Sequence, residues 1–337
     1  MCVGFWSLTH PDYALILCAN RDEYLARPTL PAHFHSFEAL TTPAPSNDNV
    51  PAVQVDVKSR GRVLSGRDVQ AEGTWLGISQ STGRVALLTN ITEPGASYAS
   101  SRGTLLAAFL ADPRGDLNLA SATTALTAQD AAYAGFNLLL LEPLSPLPTT
   151  TGPASTTATD TDSATLAYDA RLLTNGGGGG PIRARTLSDD ERACGGVSNG
   201  VDGEGGDAWP KVVQGRAALQ SILDEGSAGE GPKIADADSY LAERLMDLLT
   251  CVTASHPLYK RGELKNTIFV PPFSTSSTTD APPALYGTRM AQVILVRRDG
   301  RVTYIERDVW ALDGEGAAMR ANAGNTRSFI FRLGSDW

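Results

Sequence analysis

Two places near the start of the chain hold residue types that can do chemistry. Cys2 directly follows Met1, and methionine removal is favoured when the second residue is small. The mature chain is then expected to open on a cysteine whose thiol and α-amine belong to one residue. An α-amine ordinarily titrates at about 7.7–8.0, so it can act as general base for its own side chain, an activation known for N-terminal threonine. A thiol is already partly ionised at neutral pH, so modest help suffices. The plainer alternative is a small apolar residue at the edge of a hairpin, because cysteine often serves as a buried hydrophobe. The second place is Asn20-Arg21-Asp22-Glu23. Side chains alternate across a strand, so Asn20 and Asp22 are expected on one face and Arg21 on the other. An aspartate beside Cys2 can hold its ammonium by a charge-assisted hydrogen bond; the alternative is a polar strand end with a local ion pair.

The elements that must bring these groups together start with a β-hairpin. Residues 2–8 and 14–19 are apolar and β-compatible, and His10-Pro11-Asp12-Tyr13 between them has turn chemistry. Further strands are expected at 74–79, 84–90, 136–142, 165–168, 267–270, 292–297 and 302–306. Apolar residues at three- and four-residue spacing predict helices at 102–111, 209–224 and 239–250, the last with Ser239 as N-cap. Strands at both ends and helices between them predict a mixed α+β layer architecture. Segments near 143–164, 175–181, 200–208, 225–233 and 271–284 are rich in Gly, Pro, Ser or Thr. They lack the apolar surface to offset ordering entropy and are expected to be mobile loops inserted into one domain spanning 1–337.

Three polar stretches sit at strand or turn ends: Leu88-Thr89-Asn90, Gly195-Gly196-Val197-Ser198-Asn199 and Tyr286-Gly287-Thr288-Arg289. Asparagine amides can donate to a developing oxyanion and arginine can stabilise its charge. Asparagine is equally a routine turn former.

Composition limits the alternatives. The 337 residues are 42% hydrophobic and 19% charged, enough for a sizeable core in one large domain or two small ones. A net charge of -9 without any Lys/Arg run argues against nucleic acid and anionic membranes as partners. Cys2, Cys18, Cys194 and Cys251 form no CxxC pair, and the histidines do not cluster as metal ligands. No metal site and no required cofactor are therefore expected, and free thiols suit a reducing compartment. No apolar run approaches the roughly 20 residues that span a bilayer. His10, Pro11 and Asp12 also interrupt the first apolar stretch, so the N-terminus makes a poor signal peptide and the cytoplasm is the expected compartment.

The motifs add a resemblance. Met1-Cys2-Val3-Gly4 with Asn20-Arg21-Asp22-Glu23 resembles the opening of the NRDE family of transport and Golgi organization proteins. Gly66-Arg67-Asp68, Gly73-Thr74-Trp75-Leu76-Gly77, Leu88-Thr89-Asn90, Gly135-Phe136-Asn137-Leu138-Leu139, Val197-Ser198-Asn199, Trp209-Pro210-Lys211 and Tyr286-Gly287-Thr288-Arg289 continue it in family order. That family is in turn similar to N-terminal-nucleophile hydrolases of the penicillin V acylase and bile-salt hydrolase type. The resemblance implies a four-layer αββα sandwich, with Cys2 as nucleophile and Asp22 as partner of its amine. It further implies Asn90 and Asn199 as oxyanion or positioning donors and Arg289 as a distal charge stabiliser. Asn20, Arg21, Thr89, Ser198 and Tyr286 are the accompanying binding candidates. One departure stands out. Those hydrolases carry an arginine three residues before the aspartate, where this chain has Ala19, and alternation is expected to turn Arg21 away from the thiol. Gly73, Trp75, Gly77 and the Trp209-Pro210 helix start are read as architecture.

Two functions remain in view. The resemblance implies a role in Golgi and secretory organisation and in haem or lipid (acyl-CoA) homeostasis, with Golgi or mitochondrial association, through a small apolar ligand. Haem would then be a transported ligand, and His33-Phe34-His35 is the only paired histidine motif, for which a polar loop is the simpler reading. The alternative is an N-terminal cysteine amidohydrolase or acyltransferase acting on a small amide or thioester. The sequence leaves the oligomeric state open.

Overall fold

The computed structural model describes residues 2–37, 62–94, 96–111, 118–129, 131–145, 147, 165–227, 237–251, 260–275 and 284–334. These residues form a mixed α+β protein with two seven-stranded antiparallel sheets, a two-stranded ribbon and five α-helices. The expected α+β class is what the chain forms.

The first sheet holds β1 (Val3–Ser7), β2 (Tyr13–Tyr24), β10 (Gly195–Val197), β11 (Phe273–Ser274), β12 (Leu285–Arg297), β13 (Arg301–Asp308) and β16 (Thr326–Arg332). The second runs in chain order through β3 (Thr29–His35), β4 (Val63–Asp68), β5 (Leu76–Ser79), β6 (Val85–Asn90), β7 (Phe136–Pro143), β8 (Tyr168–Thr174) and β9 (Arg183–Thr186). The ribbon pairs β14 (Trp310–Leu312) with β15 (Ala318–Arg320). The helices are α1 (Arg102–Ala111), α2 (Leu119–Thr127), α3 (Asp189–Ala193), α4 (Pro210–Ser227) and α5 (Ala237–Thr250).

Strand alternation sorts the apolar residues into separate cores. Leu15, Leu17 and Ala19 of β2 meet Leu64, Leu76, Leu87 and Leu139 of the second sheet. Val3, Phe5, Ile16 and Cys18 point the other way, onto Leu219 of α4 and Leu245 and Leu249 of α5. Leu106 and Phe109 of α1 and Leu126 of α2 cover the far face of the second sheet through Leu88, Leu138 and Leu140. The first hairpin requires Gly4, because a Cβ there would lie 2.3 Å from the Leu87 side chain. Gly195 of β10 is likewise required, since its Cβ would meet the Trp6 ring at 2.1 Å.

Several expectations need correction. Residues 267–270 are buried but form no strand: the Ile268 carbonyl accepts from the Asn20 side chain, and Val270 exchanges hydrogen bonds with Thr288. The strand expected at 165–168 starts only at Tyr168 and continues to Thr174. Ser239 lies inside α5 rather than capping it. His33-Phe34-His35 is part of β3, where the buried His35 ring bonds Ser65 at 2.8 Å, and burial holds it down to about 3, hence neutral. The glycine segment at 175–181 is tied down: the Gly178 N–H donates to Glu93 at 2.6 Å and the Gly179 N–H to the Tyr133 carbonyl at 2.8 Å. Residues 225–227 continue α4, and β11 falls within 271–284. Residues 146, 148–164, 228–233 and 276–283 of the expected loops lie outside the described residues.

Asp238 fastens α5 to the first sheet. Its carboxylate accepts from Tyr13 at 2.6 Å, Arg297 at 2.8 Å, Arg301 at 2.7 Å and Thr303 at 3.0 Å. Burial raises its pKa, but the Arg297 and Tyr13 hydrogen bonds outweigh that and leave it depressed. A depressed carboxyl stabilises the fold above its unfolded pKa of about 3.9 and loses that contribution as pH falls through the folded value. Asp238→Ala leaves Arg297 and Arg301 without their partner and is expected to cost about 3–5 kcal/mol in urea unfolding at neutral pH. The deficit should shrink as the pH falls below about 4.

Candidate active site

The thiol sits where β1 begins and β2 ends. β1 pairs with β2 as Val3↔Asn20 and Gly4↔Ala19, so the next pair sets Cys2 opposite Arg21. Val3 faces the helices, and its neighbour Cys2 therefore shares the Arg21 face. Arg21 is thus not turned away from the thiol, and it lines the same cleft. Its guanidinium lies 4.0 Å over the Trp75 ring, pairs with Asp68 at 2.9 Å and donates to Thr29 at 2.7 Å. Trp75 is fixed by its indole N–H on Gln292 at 2.7 Å. Ala19 packs in the core with Leu87, and the cation of this face stands two residues further along β2.

Asn20 and Asp22 take the opposite face, as alternation requires. Asn20 is structural: its amide donates to the Leu249 carbonyl at 2.7 Å and the Ile268 carbonyl at 3.1 Å, joining the end of α5 to β2. Asp22 is 3% exposed and accepts from Thr288 at 2.6 Å, while the Tyr286 hydroxyl donates to its backbone carbonyl at 2.8 Å. Burial raises the Asp22 carboxyl; the positive chain terminus, here that of Met1, and Lys211 pull it back only in part. The Cys2 thiol, 7% exposed, is raised by burial. The chain terminus lowers it, the Asp22 charge raises it, and an Asp22 backbone hydrogen bond and Arg21 lower it again. The thiol is therefore at the buried floor of a cleft rather than on the surface.

Cys2, Arg21, Asp22, Glu23, Arg27 and Asn90 line this cleft, which encloses about 130 Å³. Gly73 lets α1 approach it, since a Cβ there would lie 2.7 Å from the Gly103 backbone; Arg102, beside Gly103, lines the cleft. A second cavity of about 270 Å³ shares Glu23, Arg27, Asn90 and Arg102 and adds Asn199 and Tyr286. Asn90 ends β6, and among the described residues its amide has no hydrogen-bond partner.

Asn199 holds a supporting place, its amide donating to the Asn90 carbonyl. Ser198 lies 2.8 Å from the Cys2 carbonyl oxygen and 3.0 Å from the Asn199 side-chain oxygen. The turn that carries both is held by Thr89, whose hydroxyl donates to the Ser198 carbonyl at 2.6 Å. Asn137 donates to the carbonyls of Ser198 at 2.9 Å and Gly200 at 2.8 Å. Arg289 lines neither cavity. The β2–β12 register shifts between Thr288 and Met290, and a bulge of this kind re-aims a side chain. Arg289 donates to the Arg27 carbonyl and to Thr29 at 3.1 Å, bracing the segment that carries Arg27.

Sequence reasoning missed three participants. In the sequence Lys211 stands out only as part of a helix start, yet it is fully buried with its ammonium 3.4 Å from the Asn199 oxygen. Asn137 carries no local sign of its role. Arg102 marks only the beginning of a helix. Among the described residues no cluster of His, Cys, Asp or Glu suits a metal ion.

Comparison with known proteins shows the family of the chain. The sequence profile of Transport and Golgi organisation 2 matches residues 1–42 and 50–311, nearly the whole chain. The chain belongs to the Transport and Golgi organisation 2 family. It is similar to the mouse transport and Golgi organization 2 homolog, 26% identical over 92% of this chain and 93% of that protein. The fruit-fly transport and Golgi organization protein 2 is 26% identical over 94% and 95%. An uncharacterized protein of Saccharomyces cerevisiae is 26% identical over 93% of each. In this member of the family, the matched residues Cys2, Arg21, Asp22 and Asn90 line one cleft, Asn199 lines the cavity beside it, Ser198 contacts the Cys2 carbonyl and Lys211 contacts Asn199. No helix among its described residues is long and apolar enough to cross a membrane.

Proposed function

We propose that this family member is an N-terminal-cysteine acyl hydrolase or acyltransferase acting on a small amide or thioester. The two sheets, with helices against them, support an αββα stack of N-terminal-nucleophile type in one domain. The carrying observation is that Cys2, Asp22 and Asn90 line one small cleft and that the Asn90 amide has no hydrogen-bond partner among the described residues.

The reaction follows from that placement once Met1 is removed. The Cys2 α-amine takes the thiol proton while sulfur attacks the acyl carbon. The Asn90 amide donates to the oxygen that becomes anionic, and Asn199 holds Asn90 in place. Asp22 stabilises the ammonium, which returns its proton to the departing amine or thiol. Water then releases the acyl group from sulfur, its proton passing to the same amine; an amine or alcohol in place of water makes the step a transfer. Relatives are named for transport and Golgi organisation, and an acyl-processing step in the cytoplasm, with Golgi or mitochondrial association, would place this chemistry in that setting.

A carrier of haem or of an apolar lipid calls for broad apolar walls and, for haem, an axial ligand. The small cleft lined by Arg21, Asp22, Glu23, Arg27 and Asn90 favours a compact polar acyl compound instead.

The test is hydrolysis of a panel of short-chain acyl thioesters and amides by protein shown by mass to begin at Cys2. Turnover is expected for at least one class, absent in protein that retains Met1, and reduced about 10²–10³-fold by Asn90→Ala. Equal turnover by the Met1-retaining protein would remove the amine from the mechanism.

A further inference from the structure

The chemistry set out above leaves Lys211 without a task, although its placement is unusual. It lies in the first turn of α4 and is 0% exposed. Its ammonium reaches the Asn199 oxygen at 3.4 Å and lies 5.9 Å from the centre of the Trp209 ring. Among the described residues it makes no ion pair. A buried ammonium without a contacting carboxylate is rare, and strongly perturbed buried groups gather at functional sites. The charges that act on it come from two neighbouring elements, Asp22 on β2 and Cys2 before β1. Burial outweighs the opposing pull of Asp22 and then Cys2 and leaves it lowered to about 8. Asp22 in turn feels the chain terminus, Lys211 and Glu23, and Cys2 feels the terminus, Asp22 and Arg21.

We propose that Lys211 is a positioning residue that sets the protonation state of Cys2. Once Met1 is removed, Asp22 offers one negative charge to two cations, the Lys211 ammonium and the Cys2 α-amine. A second cation held beside that carboxylate disfavours protonation of the amine and favours the thiolate, so base and nucleophile are ready together near neutral pH. The same ammonium holds the Asn199 oxygen and so orients the amide that braces Asn90. The use of this device rests on the acyl-transfer reading, but its existence does not, and it can be read without a substrate.

The experiment is alkylation of Cys2 by iodoacetamide from about pH 5 to about pH 10, followed on the N-terminal peptide by mass spectrometry. The protein used is shown beforehand to begin at Cys2. In Lys211→Met the inflection of the rate is expected to rise by about one pH unit or more, whereas Lys211→Arg should keep it near wild type. An unmoved or lowered inflection in Lys211→Met overturns the proposal. If Lys211→Met does not fold, the reciprocal effect is measured in unaltered protein carrying ¹⁵N-lysine. Blocking Cys2 removes the thiolate, so the Lys211 titration should move to lower pH, and a titration that stays in place overturns the proposal. A protein that shows both shifts but cleaves no amide or thioester contradicts the acyl-transfer reading and leaves this one intact.

Discussion

Replacing Cys2 by alanine is expected to lower turnover of any accepted amide or thioester by about 10⁴-fold or more, with the fold unchanged. The size follows from the covalent role: without sulfur there is no acyl intermediate, and water must attack directly. Stability should hardly move, because the residue lies just before β1 on a cleft floor and carries little apolar area. Cys2→Ser is the sharper variant. It keeps the shape and offers a hydroxyl, which is far harder to ionise than a thiol, so it should be almost as inactive as Cys2→Ala. Thermal unfolding and acyl-thioester turnover, measured on the same samples, check both parts. A variant lacking the thiol yet retaining wild-type turnover contradicts the mechanism.

Asp22→Asn is expected to separate stability from activity. Thr288 donates to the side-chain oxygen that asparagine also has, so the hydrogen bond survives the change. The Asp22 carboxyl is raised by burial, with the chain terminus and Lys211 only partly opposing it. A carboxyl raised on folding contributes most when protonated, below its unfolded pKa of about 3.9, and that contribution is lost as pH rises through the folded value. Ionised Asp22 therefore weighs against the fold at neutral pH, and Asp22→Asn should be as stable as wild type or more so. Turnover should nevertheless fall by about 10²–10⁴-fold, because the ammonium formed during attack loses its counter-charge. Urea midpoints at pH 7 and kcat for the same variant read the two effects separately. A variant that loses stability and keeps turnover would make Asp22 a structural residue.

The parts of the site that the sequence makes legible are those fixed by local geometry. The bend at Pro11–Asp12 returns the second strand antiparallel to the first, so Asn20–Glu23 come back beside the start of β1 and the thiol. Parity separates Asn20 from Arg21 correctly, but which face the thiol takes depends on the register, and only the pairing of Val3 with Asn20 shows that Arg21 shares it. Asn90 is legible as a polar end to an aliphatic strand. Lys211 is not, because nothing in Trp209-Pro210-Lys211 says that α4 folds onto β1 and β10 and drives the lysine inward. The α+β class follows from the long strands and amphipathic helices, while the weakly patterned elements escape. β9 is a largely exposed Arg-Ala-Arg-Thr strand, and β10 begins with two glycines, the first of which leaves room for Trp6. Residues 267–270 fail in the other direction: they look like a strand, but the Ile268 carbonyl accepts from the Asn20 amide and the Val270 N–H donates to the Thr288 hydroxyl instead.

The most direct test of a terminal cysteine nucleophile is the mass of the protein after brief exposure to an excess of a short-chain acyl thioester, quenched in acid. The mechanism predicts one acyl group added per chain, carried on the peptide that begins at Cys2, and lost on standing at neutral pH. Protein that retains Met1, and Cys2→Ala, should gain none. An acyl group found on Cys18, Cys194 or Cys251, or turnover with no adduct on Cys2 at any time, would contradict it.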